Sequence, residues 1–212
     1  QALLAHQVIF FRDQRMTVDQ HKAFGSHFGK LHVHPNAPKK LPEHPEILTI
    51  QAGPDSKRVA GEVWHSDVSC DEEPPMGSIL HIHQCPPKGG DTLFVNMYAA
   101  YEALSDRMKA YLDGLKAVHD GEHVFRGTYA NYGVKDKPSY PRAEHPVVRT
   151  HPVTKRKLLF VNSGFTTRIL GVPRDESDAI LRYLFEHSAN PLFQCRFRWQ
   201  PDSVAFWDNR CA

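Results

Sequence analysis

The residues best suited to chemistry are His65 and Asp67, in the stretch Val63-Trp64-His65-Ser66-Asp67-Val68. On an extended strand alternate side chains leave by the same face, so this spacing would point an imidazole and a carboxylate into one space. Together they supply two members of a two-His-one-carboxylate facial triad, a donor set that holds Fe(II) and leaves three coordination positions open. The pair alone is weak, because a chain with 14 histidines meets that spacing by chance. A strand-end histidine hydrogen-bonded to a nearby carboxylate would read the same way.

The chain must be able to position such a pair. Its 212 residues, 41% hydrophobic and 24% charged, are enough for one medium domain with a sizeable core. A formal charge of +2 with scattered basic residues gives no footprint for nucleic acid. No apolar run approaches the roughly 20 residues of a membrane-crossing helix. The start, Gln1-Ala2-Leu3-Leu4-Ala5-His6, lacks a basic leader, a cleavage site and an initiator Met, so the chain is expected to begin inside a longer protein. Cys70, Cys85, Cys195 and Cys211 form no C-x-x-C pair, which argues against a zinc ribbon or redox dithiol and for reduced thiols in a cytoplasmic protein.

Strands are expected at 7–11, 46–50, 77–84, 91–95, 116–119, 145–151, 157–161, 193–199 and 203–207, many of them bounded by Pro/Gly turns. The segment 31–34 reads as a short extended piece with His32 and His34 on one face. Helices are expected after the capping box Thr17-Val-Asp-Gln20, over 98–104 and 105–115, and over 175–187, where Ile180, Leu181, Leu184 and Phe185 recur at helical spacing. The stretches 35–45 and 121–144 lack periodicity and read as long loops able to close over a site. Many short strands with a few helices to one side argue for a mainly β fold with flanking helices, a jelly roll or barrel, in one domain over 1–212.

Six ordered segments resemble the taurine dioxygenase family of Fe(II)- and 2-oxoglutarate-dependent oxygenases. They are Phe28-Gly-Lys-Leu-His-Val-His-Pro35, Trp64-His-Ser-Asp-Val68, Pro87-Lys-Gly-Gly-Asp-Thr-Leu93, His145-Pro-Val-Val-Arg-Thr-His-Pro152, Phe160-Val-Asn-Ser-Gly-Phe-Thr-Thr-Arg168, and Arg198-Trp-Gln-Pro201 with Trp207-Asp-Asn-Arg210. The resemblance implies a double-stranded β-helix, the cupin-like jelly roll, with His65 and Asp67 as iron ligands. It implies that Thr92 helps hold the distal carboxylate of 2-oxoglutarate and that Trp207 packs near the iron. His34 and the Val68 backbone N–H match contacts to a substrate sulfonate, and both are reasonable anion donors. The implied reaction consumes O2 and 2-oxoglutarate, releases succinate and CO2, and hydroxylates a small anionic substrate. Similar enzymes use taurine and other sulfonates, alkylsulfates or aryloxyalkanoates, and are commonly dimers or tetramers.

The chain departs from the family pattern in two places. Trp207-Asp-Asn-Arg210 is followed by only Cys211-Ala212, so the second iron-binding His is expected just after Ala212, and the Arg that pairs with 2-oxoglutarate about a dozen residues beyond. The positions that handle the taurine amine fall at Ala37 and Gly61, which cannot make those contacts. A catalytically inactive jelly-roll protein with an anion pocket, and a zinc hydrolase on the same ligands, are the alternatives from other classes. No general base for the hydrolase is apparent.

Overall fold

The computed structural model describes residues 1–34, 40–53, 56, 61–126 and 140–212. Its frame is a set of antiparallel sheets with helices packed against them. In the largest sheet at the site, β12 (Val204–Asp208) runs between β1 (Val8–Phe11) and β4 (Gly77–His81). The register sets Trp207 opposite Ser78 and Val204 opposite His81. One face of this sheet packs on β5 (Thr92–Val95) and β11 (Gln194–Phe197). There Phe10 stacks on Phe197 with centroids 3.9 Å apart, and Phe94 meets Trp207 at 5.5 Å. Alternation puts Phe206 and Ile79 on the other face, where Phe24 and Phe28 from α2 (Val18–Ser26) and its following turn cover Phe206.

Three of the α-helices begin where the sequence supplies a side-chain cap. Thr17 Oγ1 accepts from Gln20 N–H at 3.2 Å, and Gln20 Oε1 accepts from Thr17 N–H at 2.8 Å, the reciprocal box expected for α2. After α1 (Ala2–His6), α3 (Met97–Glu102) and α4 (Asp106–Leu112) start at the Asn96 and Ser105 caps. α5 is one short turn, Glu122–Phe125. α6 (Arg174–Ser188) buries Leu181 and Leu184 against β6 (Lys116–Asp120) and its sheet neighbours β7 (Arg142–Pro146) and β10 (Thr166–Ile169). That core continues into the hairpin of β8 (Val148–Thr150) and β9 (Lys157–Leu159).

Several expectations change in detail. Residues 31–34 carry no regular structure, and His32 pairs with Asp71 at 3.4 Å instead of sharing a strand face with His34. The stretch 35–45 is not one loop: β2 (Lys40–Leu41) and β3 (His44–Leu48) form a hairpin at its end, while 35–39 lie outside the described residues. The stretch 121–144 opens with α5 and closes in β7, with 127–139 outside the described residues. β10 had no sequence signal, because its residues, Thr166-Thr-Arg-Ile169, alternate too weakly to mark a strand.

A candidate metal centre

The His65 segment is not a strand. Residues 62–66 are irregular and 67–70 form a turn, closed by Ser69 N–H on the Ser66 carbonyl (3.2 Å) and Asp71 N–H on the Val68 carbonyl (2.9 Å). Val68 sits at φ 51, in the left-handed region that a β-branched residue rarely adopts. The expected strand alternation is therefore replaced by a turn, yet the pair still converges: His65 Nε2 lies 3.2 Å from Asp67 Oδ1.

Strand pairing is absent here because Asn209, immediately after β12, takes the backbone groups a neighbouring strand would have used. Its Oδ1 accepts from Asp67 N–H at 2.6 Å, and its Nδ2 donates to the Asp67 carbonyl at 2.8 Å and the Pro75 carbonyl at 3.1 Å. Ser66 Oγ donates to the Asn209 carbonyl at 2.7 Å. A second anchor holds the far end of the turn. Buried Ser69 accepts from Asn162 Nδ2 at 3.1 Å and lies 3.0 Å from His119 Nδ1. Behind His65, Gly164 N–H donates to the Trp64 carbonyl at 2.9 Å. A Cβ on Gly164 would stand 3.1 Å from His65 Cβ, so glycine permits this close approach.

The candidate ligand atoms are selected by their hydrogen bonds. His65 Nδ1 donates to the Val63 carbonyl at 2.7 Å, which leaves Nε2 facing Asp67. Ser78 Oγ, on the inward face of β4, donates to Asp67 Oδ2 at 2.5 Å and leaves Oδ1 for His65. A neutral His65 with that tautomer would aim a lone pair at a carboxylate oxygen, so the geometry calls for a cation between them, either a proton or a metal ion. Burial opposes charge on both groups. For His65 the hydrogen bond and charge of Asp67 outweigh it and raise the pKa. For Asp67 the contacts to His65 and Ser78, with the nearby charge of His34, outweigh it and lower the pKa.

The other expected residues surround this pair. Trp207 shares the inward face with its cross-strand neighbour Ser78, beside the Asp67 carboxylate. Thr92 lies two residues from Phe94 on the same face of β5, and Phe94 touches Trp207. Trp199 Nε1 donates to Thr92 Oγ1 at 2.8 Å, so the Thr92 O–H remains able to donate elsewhere. His34 is close enough for its charge to act on Asp67, and its ring meets Phe125 edge-on at 5.7 Å.

Sequence reasoning missed the residues that brace this arrangement. Asp208, fully buried at the end of β12, accepts from Arg210 Nε at 2.7 Å, Arg210 Nη2 at 2.6 Å and His151 Nε2 at 3.1 Å. His151 Nδ1 accepts from Val153 and Thr154 N–H, which places its proton on Nε2. That bonding leaves no lone pair toward Asp208, so the nearby trio His151, Asp208 and Cys211 is a hydrogen-bonded brace and not a metal site. The available signal was the polar run Asp208-Asn-Arg210 directly after a fully apolar strand. His119, also missed, is pushed down to about 3 by burial, with His145 and Arg149 adding to the effect.

An antiparallel β frame brings an imidazole and a carboxylate together, with a hydroxyl and a further imidazole nearby, as a candidate mononuclear metal centre. The chain belongs to the taurine catabolism dioxygenase TauD, TfdA family, whose family model matches residues 1–212. It is 38% identical over 224 residues to an alpha-ketoglutarate-dependent dioxygenase, cnsP, of Penicillium expansum, covering 99% of this chain and 60% of that one. It is 34% identical over 224 residues to an alpha-ketoglutarate-dependent sulfonate dioxygenase of Saccharomyces cerevisiae, covering 99% of this chain and 54% of that protein. A crystal structure of a taurine dioxygenase from Burkholderia xenovorans superposes with a TM-score of 0.81 at 40% identity, covering 99% of this chain and 69% of that one. The chain thus spans little more than half the length of these curated relatives. Among the described residues, no helix is long and apolar enough to cross a membrane. All four cysteines are free thiols.

Proposed function

We propose that this chain is the core of a dioxygenase that uses Fe(II), O2 and 2-oxoglutarate to hydroxylate a small anionic substrate, a sulfonate in the first instance. The convergence of His65 Nε2 and Asp67 Oδ1 at 3.2 Å carries the reading. The donor set fits the ion: imidazole and carboxylate are two of the three ligands of the facial triad. On this proposal the third ligand is a histidine following Ala212 in the complete protein, a few residues beyond the clamp Asn209. When bound, the iron supplies the activation of O2 that decarboxylates 2-oxoglutarate to succinate and CO2 and oxidises a substrate C–H bond.

The chain's own residues hold and orient. His65 and Asp67 bind the ion in the tautomer and orientation set by Val63 and Ser78. Thr92 donates its hydroxyl proton to the distal carboxylate of 2-oxoglutarate, held in place by the Trp199 indole on its other side. His34 and the Val68 N–H donate to the anionic head of the substrate, which fixes the carbon presented for oxidation. Hydroxylation beside a sulfonate, sulfate ester or ether oxygen gives a product that collapses to a carbonyl compound and a leaving group, sulfite, sulfate or a phenol respectively. Ala37 and Gly61 lack side chains to hold an amine, which favours an anion without taurine's amino group. The double-stranded β-helix arrangement of the sheets, one domain over 1–212, a cytoplasmic location and a homo-oligomeric state complete the proposal.

The test uses the full-length protein under anaerobic conditions with Fe(II) and 2-oxoglutarate. The weak visible absorption of the metal–2-oxoglutarate chelate should appear and shift with one of taurine, an alkylsulfonate, an alkylsulfate or an aryloxypropionate. Succinate release on adding O2 should follow the same substrate. A folded, metal-binding protein with no such band would refute the proposal.

A further inference from the structure

We propose a second metal site, for a zinc-class divalent transition ion, formed by His81, His83 and Asp202. One donor atom from each of the three lies within 4.8 Å of the others. They come together because three chain segments meet at one end of the β1–β12–β4 sheet. His81 ends β4 and His83 follows it, their rings 4.4 Å apart. Asp202 lies in the turn before β12, at φ 59, with its backbone tied on both sides. Its N–H donates to the Ile82 carbonyl at 3.0 Å, and its carbonyl accepts from Gln14 N–H, beyond β1, at 2.8 Å.

The decisive atom is His81 Nε2. The side chain is only 4% exposed, and this nitrogen has no hydrogen-bond partner. Asp202 Oδ1 faces it at 3.8 Å, beyond hydrogen-bond reach. A buried polar atom left unsatisfied is costly and uncommon, so it asks for a partner. In a tetrahedral zinc site with bonds of about 2.1 Å, donor atoms stand about 3.4 Å apart. Binding would draw the three donors in from within 4.8 Å of one another to that spacing. Exposed His83 has room to make it, and a fourth position stays open to water. Two imidazoles and one carboxylate suit zinc and its neighbours better than magnesium or calcium, which prefer all-oxygen shells.

The surroundings agree. His21 Nε2 is taken by the Ile79 carbonyl at 3.1 Å and is not among the three donors. The facing charges are those of Asp202 and of Arg15, a 92%-exposed side chain 3.4 Å from Asp202 Oδ2 that can swing into solvent. The site is separate from the His65 pair. Ser78, which bonds Asp67, and His81 are three residues apart on β4, so they point to opposite faces of the sheet. The ion would staple the end of β4 to the start of β12 on the face covered by α2.

The experiment is zinc titration of the full-length protein at micromolar concentrations, with cobalt(II) as a spectroscopic probe. His83→Ala removes an exposed ligand, and Asp202→Asn keeps a residue that tolerates a left-handed backbone, so both variants should fold. Wild type should bind one zinc equivalent more than either variant and show the visible cobalt bands of a four-coordinate N/O site. The weakest variant should lose at least about tenfold in affinity. Zinc should raise the thermal midpoint of wild type further than that of either variant. Equal stoichiometry and identical cobalt spectra in all three proteins would overturn the proposal.

Discussion

Replacing Asn209 with Ala should loosen the metal centre without touching a ligand. The substitution removes an acceptor for Asp67 N–H and a donor shared by the Asp67 and Pro75 carbonyls, from a side chain only 2% exposed. Each unsatisfied buried group costs roughly 1–3 kcal/mol, and water entering the gap would recover part of it. A loss of about 3 kcal/mol in unfolding free energy follows. For a chain of this size it corresponds to a fall of roughly 6–12 °C in the thermal midpoint. Metal affinity should drop as well, by about 10–100-fold, because Asn209 fixes the turn that brings Asp67 Oδ1 to His65 Nε2. Asn209→Asp is the sharper control, since it keeps the shape but faces two carbonyls with an acceptor and adds a negative charge beside Asp67. Chemical denaturation of the metal-free protein and Fe(II) or Co(II) titration would read both effects. If Asn209→Ala binds metal within about twofold of wild type while losing stability as expected, the clamp is structural only and the positioning argument fails.

Three further outcomes follow from the same geometry. His119 has a folded pKa near 3, below the 6.5 of the unfolded chain, so its contribution to stability is complete above pH 6.5 and is lost as pH falls toward 3. The loss is about 1.4 kcal/mol per pH unit, and His119→Asn, which can still bond Ser69, should flatten the acid limb of stability against pH by one proton; an unchanged slope would contradict it. Gly164→Ala places a Cβ 3.1 Å from His65 Cβ and 3.2 Å from the Trp64 carbonyl, so metal affinity should fall several-fold with about 1–3 kcal/mol of destabilisation; calorimetric titration decides. Thr92→Val should weaken 2-oxoglutarate by about tenfold, with Thr92→Ser restoring it, because only the hydroxyl satisfies both Trp199 Nε1 and a carboxylate; equal 2-oxoglutarate affinity in Thr92→Val would remove Thr92 from the site.

What the sequence made legible was what local rules write down. The Thr17–Gln20 box, the Ser105 cap and the period of Leu181 and Leu184 located three helices, because each is a contact between residues three or four apart. The strands with apolar or β-branched alternation were found for the same reason. β10 was not, because Thr166-Thr-Arg-Ile169 alternates too weakly to mark a strand. The His65–Asp67 pair was found by its spacing but for a reason the structure replaces: the side chains meet on a turn, not on a pleat. A period-2 argument cannot anticipate a β-branched residue at φ 51. Nor can it see that Asn209, 142 residues away, substitutes for a strand neighbour.

That substitution explains why the pair belongs on a turn. On a regular strand Asp67 would present both oxygens to the same side as His65, and its backbone would be committed to a neighbour's ladder. Here the backbone is satisfied by one side chain, and the carboxylate is divided between Ser78 and the cation position. The strain at Val68 is held by two anchors on different sheets, Asn209 after β12 and Ser69 bonded to Asn162 and His119. Backbone strain of this kind persists only where the surroundings over-determine it. The two anchors hold one turn and are therefore coupled, so a double variant of Asn209 and Asn162 should lose more metal affinity than the two single losses multiplied.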